Sequence, residues 1–199
     1  LTAAGRTDSG VHASGQVANF HSERDDLAEG LFLRSLNGTT GRDVTIHSIE
    51  PVDDSFNARF SARARQYAYH LSTSPVSIGR QYLYHCFFPL DLGLLKAASG
   101  MLPGTHNFAA FAKPDPDEKH SLCTVDLAEW ATDGKTILFR IRANRFLRNM
   151  VRRIVGTLLH LARGKLSEAD FRDMLERQKN EHLSFTAPAK GLFLEKVFY

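Results

Sequence analysis

From Gln66 to Ser72 the chain alternates, with Tyr67, Tyr69 and Leu71 on one face and Gln66, Ala68 and His70 on the other, which is the period-two pattern of a half-buried strand. Tyr82 to Pro89 reads as a connection, in part extended. Asp91 then stands where it can cap a helix carrying Leu94, Leu95, Ala98 and Leu102, and Pro103-Gly104 predicts its stop. Leu122 to Ala131 and Thr136 to Ala143 read as strands joined through Asp133-Gly134, a hairpin signal. Leu147 to Arg163 holds the longest helical pattern, ended by Gly164, and Ser167 can cap a shorter helix through Phe171, Met174 and Leu175. Leu192 to Tyr199 closes the chain as a strand. The order is strand, helix, strand, strand, helix, helix, strand: the ferredoxin-like βαββαβ pattern with one extra helix.

The preceding stretch is sparser. Leu1-Thr2-Ala3-Ala4 reads as the tail of a strand, and Gln16 to His21 has short strand character. Asp25-Asp26 marks a helix start, and Leu27, Leu31 and Leu33 to Leu36 keep helical spacing until Asn37-Gly38. Val44 to Ile49 predicts a further strand, closed by Pro51. This is the same unit without its opening strand and helix. The expected fold class is therefore α+β: two ferredoxin-like (βαββαβ) lobes, residues 1–57 and 58–199, sharing an extended, mainly antiparallel sheet, with the first lobe lacking its opening strand and helix.

Composition adds a partner to this picture. The formal charge is only +3, yet 17 of the 25 basic residues are Arg, the side chain suited to phosphates and planar groups. No Asp or Glu occurs from Ser55 to Leu90 or from Gly134 to Ser167. These windows hold Arg59, Arg63, Arg65 and Arg80, then Arg140, Arg142, Arg145, Arg148, Arg152, Arg153 and Arg163. Acid-free basic tracts imply a polyanion partner. Cys86 and Cys123 show no paired spacing, and the nine histidines form no ligand repeat, so neither a disulfide framework nor a metal site is indicated. With no apolar run of membrane-spanning length and no signal peptide, the expectation is a soluble cytoplasmic chain.

The candidate chemistry sits near the N-terminus. Gly5, Gly10 and Gly15 frame a loop, Gly5-Arg6-Thr7-Asp8-Ser9-Gly10, too flexible for the interior of a regular element and able to approach another group closely. It reads either as ordinary turn chemistry or as one side of a site built on Asp8. On the long helix, at about 100° per residue, Met150, Val151, Ile154, Val155, Leu158, Leu161 and Ala162 form the apolar arc. Arg152 falls at its border and Arg153 on the polar side. Arg152 therefore either extends its stem along the core edge or seeks a buried anion, for which Asp8 is available. Tyr67, preceded by Arg59, Arg63 and Arg65, reads either as a sheet-face aromatic or as a ring that stacks on an unpaired base.

These blocks form a recognisable combination. Gly5-Arg6-Thr7-Asp8-Ser9-Gly10-Val11-His12-Ala13 resembles the active-site motif of the TruA-type tRNA pseudouridine synthases. The resemblance continues, in order, through Phe56-Asn57-Ala58-Arg59-Phe60, Arg65-Gln66-Tyr67-Ala68-Tyr69, Asn107-Phe108-Ala109-Ala110-Phe111, Phe146 to Gly156 and Ala187 to Leu194. It implies that Asp8 is the essential carboxylate and Arg152 its paired cation. It implies further that Arg6 displaces the target nucleotide from its stack, that Tyr67 contacts the base and that Leu192 lines the pocket. Arg59, Arg63, Arg65, Arg148 and Arg153 are candidates for the RNA backbone. The family is cofactor-free and homodimeric, and similar members act on uridines 38 to 40 of the tRNA anticodon arm.

The residue types suit that chemistry. Conversion of uridine to pseudouridine breaks the N1 glycosidic bond, turns the base and joins C5 to the same sugar carbon. It requires a carboxylate at the sugar and base, as nucleophile or proton acceptor, an Arg to hold it ionised, and a target turned out of the stack. Two other readings use the same residues. A non-catalytic protein recognising structured RNA would share the Arg tracts and Tyr67 but has no use for an Arg-paired Asp8. An aspartyl-phosphate enzyme built on Asp8 would want acidic metal ligands, for which Glu23, Asp25 and Asp26 are the candidates.

Overall fold

The computed structural model describes residues 1–24, 28–116, 120–176 and 185–199. Its elements are β1 (Thr2–Ala3), β2 (His12–Ala13), β3 (Ala18–Asn19), α1 (Glu29–Thr39), β4 (Ala64–Ser72), β5 (Tyr84–His85), α2 (Leu92–Ser99) and β6 (Gly104–Asn107), followed by β7 (Leu122–Asp133), β8 (Thr136–Ala143), α3 (Met150–Ala162), α4 (Glu168–Glu176) and β9 (Leu192–Phe198). The fold class is α+β, as expected.

The main sheet runs β2-β9-β4-β8-β7-β6, with β5 added beside β4. Its centre, β9-β4-β8-β7, places the fourth, first, third and second strands of the C-terminal unit side by side, all antiparallel. That is the order a βαββαβ unit adopts when its helices cross over one face. Among the described residues, parallel pairing is confined to β2 with β9 and β5 with β4. β1 and β3 form a separate antiparallel pair.

The hairpin between β7 and β8 turns at Gly134, whose φ of 57° is the left-handed conformation that such a two-residue turn requires. Asp91 caps α2 through a 3.0 Å bond from the Leu94 amide. At α4, Ser167 and Asp170 exchange side-chain and backbone bonds as a capping box. One apolar cluster unites Tyr69, Leu71, Phe139 and Ile141 of the sheet with Leu95 of α2, Ile154 and Leu158 of α3 and Phe171 of α4, all fully buried. Each such aliphatic side chain contributes about 1.5–3 kcal/mol.

The structure departs from the sequence reading at five places. Val44 to Ile49 is not a strand, because the Asn37 side chain takes both the amide and the carbonyl of Ile46, at 2.7 and 2.8 Å, in place of a neighbouring strand. Gln16 to His21 contributes only the two residues of β3. β6 is unsignalled, since Gly-Thr-His-Asn has no apolar alternation. Helix α3 begins at Met150 rather than Leu147, because Asn149 lies at φ 59° and interrupts the helical path. Helix α1 runs past Asn37-Gly38 to Thr39 and fully buries no residue. The helix start expected at Asp25-Asp26 lies outside the described residues.

Burial of α3 is wider than its apolar arc, extending to Gly156, Thr157 and Leu159. A Cβ on Gly156 would sit 1.7 Å from the Phe185 carbonyl oxygen, so the helix and the 185–188 segment touch backbone to backbone. Gly156→Ala is expected to destabilise the protein by about 1–3 kcal/mol, the range for overpacking, read as a lower midpoint in thermal or urea melts. An unchanged midpoint would contradict this contact.

Candidate active site

The three loop glycines have different tasks. Gly10, at φ 78°, occupies the third position of a turn closed by the Val11 amide on the Asp8 carbonyl at 3.0 Å. Gly15 lies against β9, where a Cβ would meet the Glu195 carbonyl at 2.3 Å, and the Ser14 and Gly15 amides both donate to Leu194. Gly5 lies beside Arg65 and the Tyr67 hydroxyl. The loop is thus fixed at both ends to the sheet, with Asp8 at its crest.

Arg152 Nη1 donates to Asp8 Oδ2 at 3.0 Å, closing a contact between residues 144 apart in sequence. The Arg152 side chain is 18% exposed and that of Asp8 39%, which places the pair at the boundary of the core with the carboxylate on the open side. Arg152 is held from behind, its Nε donating to the Ala187 carbonyl at 2.8 Å while the Ala187 amide donates to the Arg152 carbonyl at 3.0 Å. An ion pair this open adds about 1 kcal/mol or less to stability. Its significance is positional, since one oxygen of Asp8 is held while the carboxylate remains accessible.

Tyr67, on β4, is buried to 9% exposure and meets Phe146 edge to face at 5.1 Å. Burial raises its pKa; the Arg65 charge opposes that shift and the Asp8 carboxylate reinforces it, so the phenol stays protonated at neutral pH. Gly5, three residues before Asp8 on the same loop, lies beside this hydroxyl, which brings the loop to the ring. Leu192 is buried at the start of β9, paired with Tyr69, whose hydroxyl donates to the Pro188 carbonyl at 2.7 Å. Arg6 is exposed on the loop, two residues before Asp8.

The remaining arginines separate into two kinds. Arg59, Arg63 and Arg148 are exposed. Arg65 spends its guanidinium on backbone, donating to the Ala4 carbonyl at 2.7 and 3.1 Å and to the Arg59 carbonyl at 2.6 Å. It braces the base of the Asp8 loop. Arg153 donates to the Ala112 carbonyl, away from Asp8. Among the described residues no group of three or more His, Cys, Asp or Glu side chains is arranged to hold a metal ion.

The segment that assembles these parts, Ala187 to Gly191, falls within the resemblance, which gave a role only to Leu192 just beyond it. Ala187 binds Arg152, Pro188 binds Tyr69, Ala189 lies 3.4 Å from where a Cβ on Gly10 would be, and Gly191 is pressed on the Tyr69 ring. It works mainly through backbone atoms, and apart from the resemblance its signal is the cluster of small residues Ala187-Pro188-Ala189-Lys190-Gly191.

Residues 98–199 match the family model described as tRNA pseudouridine synthase. The chain is 41% identical to tRNA pseudouridine synthase A of Bacteroides fragilis over 98% of its own length and 78% of that protein's. It is 41% identical to the protein of that name from Chlorobaculum tepidum, over 100% of this chain and 80% of the other. The corresponding figure for Bacillus licheniformis is 38%, over 100% and 81%. With likeness at this level along nearly its whole length, the chain belongs to the family of TruA-type tRNA pseudouridine synthases, isomerases that act in tRNA processing.

Proposed function

We propose that this chain converts uridine to pseudouridine in the anticodon arm of tRNA, at positions 38 to 40, with Asp8 acting on a uridine turned out of its stack. The observation that carries this reading is the Asp8 carboxylate, half-exposed, held at 3.0 Å by an arginine on a loop whose Gly5 lies beside a buried tyrosine. A ring in that position supports the flipped base, and the exposed Arg6 fills the space it leaves. Asp8 either attacks the sugar carbon or accepts a proton. In both cases the N1–C1′ bond breaks, C5 bonds to C1′, the C5 hydrogen leaves as a proton and N1 gains one, so no oxidant or co-reactant is consumed. Exposed Arg59, Arg63 and Arg148 suit the phosphate backbone.

The resemblance also supports a homodimer working in the cytoplasm, and among the described residues no helix is long and apolar enough to cross a membrane. Position is tested with tRNA transcripts in which uridines 38 to 40 are replaced by cytidine. Pseudouridine formation is expected to disappear while binding persists. Undiminished formation on the replaced transcript would contradict the anticodon-arm assignment, and tRNA binding without any pseudouridine on the unaltered transcript would favour a non-catalytic structured-RNA-binding protein.

A further inference from the structure

Phe60 is 77% exposed, yet the loop that presents it is tied by hydrogen bonds at successive residues. The Asn57 side-chain oxygen accepts from the amides of Arg59 and Phe60 at 3.0 and 3.1 Å, and the Ser61 amide donates to the Asn57 carbonyl at 2.8 Å. Ala58, fully buried beneath, is held by the Asn19 side chain at its amide and by the Tyr199 hydroxyl at its carbonyl. The Arg59 guanidinium lies over the Phe60 ring, 5.3 Å from its centroid, and Arg63 is exposed three residues on.

An aromatic ring held in water by so many bonds to its own loop is not there for the core. A flexible loop would fold it inward and recover about 1.5–3 kcal/mol of apolar burial; this one is prevented from doing so. The chemistry presented is an exposed aromatic ring with the Arg59 guanidinium over one face and Arg63 exposed three residues on, which fits an unpaired nucleobase whose flanking phosphates meet the two arginines. The position suits the same partner as the site. A single nitrogen, Nη2 of Arg65, binds both the Arg59 carbonyl and the Ala4 carbonyl at the base of the Asp8 loop.

We infer that the Phe60 ring, with Arg59 and Arg63, is a preorganised stacking platform for an unpaired base of the tRNA, held in register with Asp8 through Arg65. This rests on the proposed tRNA substrate. It concerns a nucleotide other than the one isomerised, because Tyr67 already serves that base.

The test is steady-state kinetics and equilibrium binding of Phe60→Leu and Phe60→Tyr proteins with a tRNA transcript. Leu keeps the bulk and loses the π-face. Phe60→Leu is expected to raise KM and Kd about ten-fold, the loss of one base–aromatic stack, with little change in kcat, and Phe60→Tyr is expected to restore both. The Leu defect is expected to be equal at low and high salt, whereas Arg59→Ala and Arg63→Ala each reduce the salt slope of binding by about one. Wild-type KM for Phe60→Leu would overturn the inference. So would a change in sedimentation mass with KM unaltered, which would assign Phe60 to a protein contact. Failure of the unaltered protein to bind tRNA or form pseudouridine would overturn the substrate reading itself, whereas normal turnover indifferent to Phe60 removes this inference alone.

Discussion

Arg152→Met is expected to lower kcat for pseudouridine formation by about 10²-fold, the cost of letting a reacting group drift by about 1 Å, with a much smaller effect on KM. Met matches the length of the arginine stem, so the core edge of α3 remains filled. What is lost is the fork that holds Ala187 on one side and Asp8 on the other. Arg152→Lys is expected to recover little, because an ammonium is a single point and cannot span both partners. Stability is expected to change by about 1 kcal/mol or less from the ion pair itself, so a melt taken alongside the kinetics separates misplacement from unfolding. A KM effect with kcat intact would assign Arg152 to RNA binding instead.

Asp8→Asn carries the larger effect. The amide is nearly isosteric and can still accept from Arg152 Nη1, so the loop, its Gly10 turn and its anchorage on β9 are expected to persist. An amide is neither a competent nucleophile toward the sugar carbon nor a proton acceptor at neutral pH. The rate of pseudouridine formation is therefore expected to fall by at least about 10⁴-fold, as when the reacting group of an enzyme is removed. The melting midpoint and the Kd for tRNA are expected to stay near wild type. Loss of tRNA affinity in step with loss of rate would instead make Asp8 a binding group.

The C-terminal unit was legible because its signals are local. Alternation at Gln66 to Ser72, the cap at Asp91, the turn at Asp133-Gly134 and the spacing on α3 each act within a few residues. The strand expected at Val44 to Ile49 failed because its apolar spacing says nothing of Asn37, whose side chain takes the bonds a strand would have made. Helix geometry separated Arg152 from Arg153 and named Asp8 as an available anion, but it did not foresee that Arg153 is tied to Ala112 or that Arg65 serves as a brace. Guanidinium groups bound to backbone carbonyls leave no mark in a sequence, since any residue supplies the acceptor. For the same reason the resemblance marked Ala187 to Leu194 without showing what residues 187–191 do: their contacts are carbonyls and close approaches.

The central question is whether the Asp8 carboxylate performs the isomerisation. The decisive measurement is tritium release from tRNA carrying C5-labelled uridine, comparing the unaltered protein with Asp8→Asn at saturating enzyme. Release is expected from the former and background counts from the latter at equal occupancy of tRNA. Release by Asp8→Asn at a rate near that of the unaltered protein would contradict this role for Asp8.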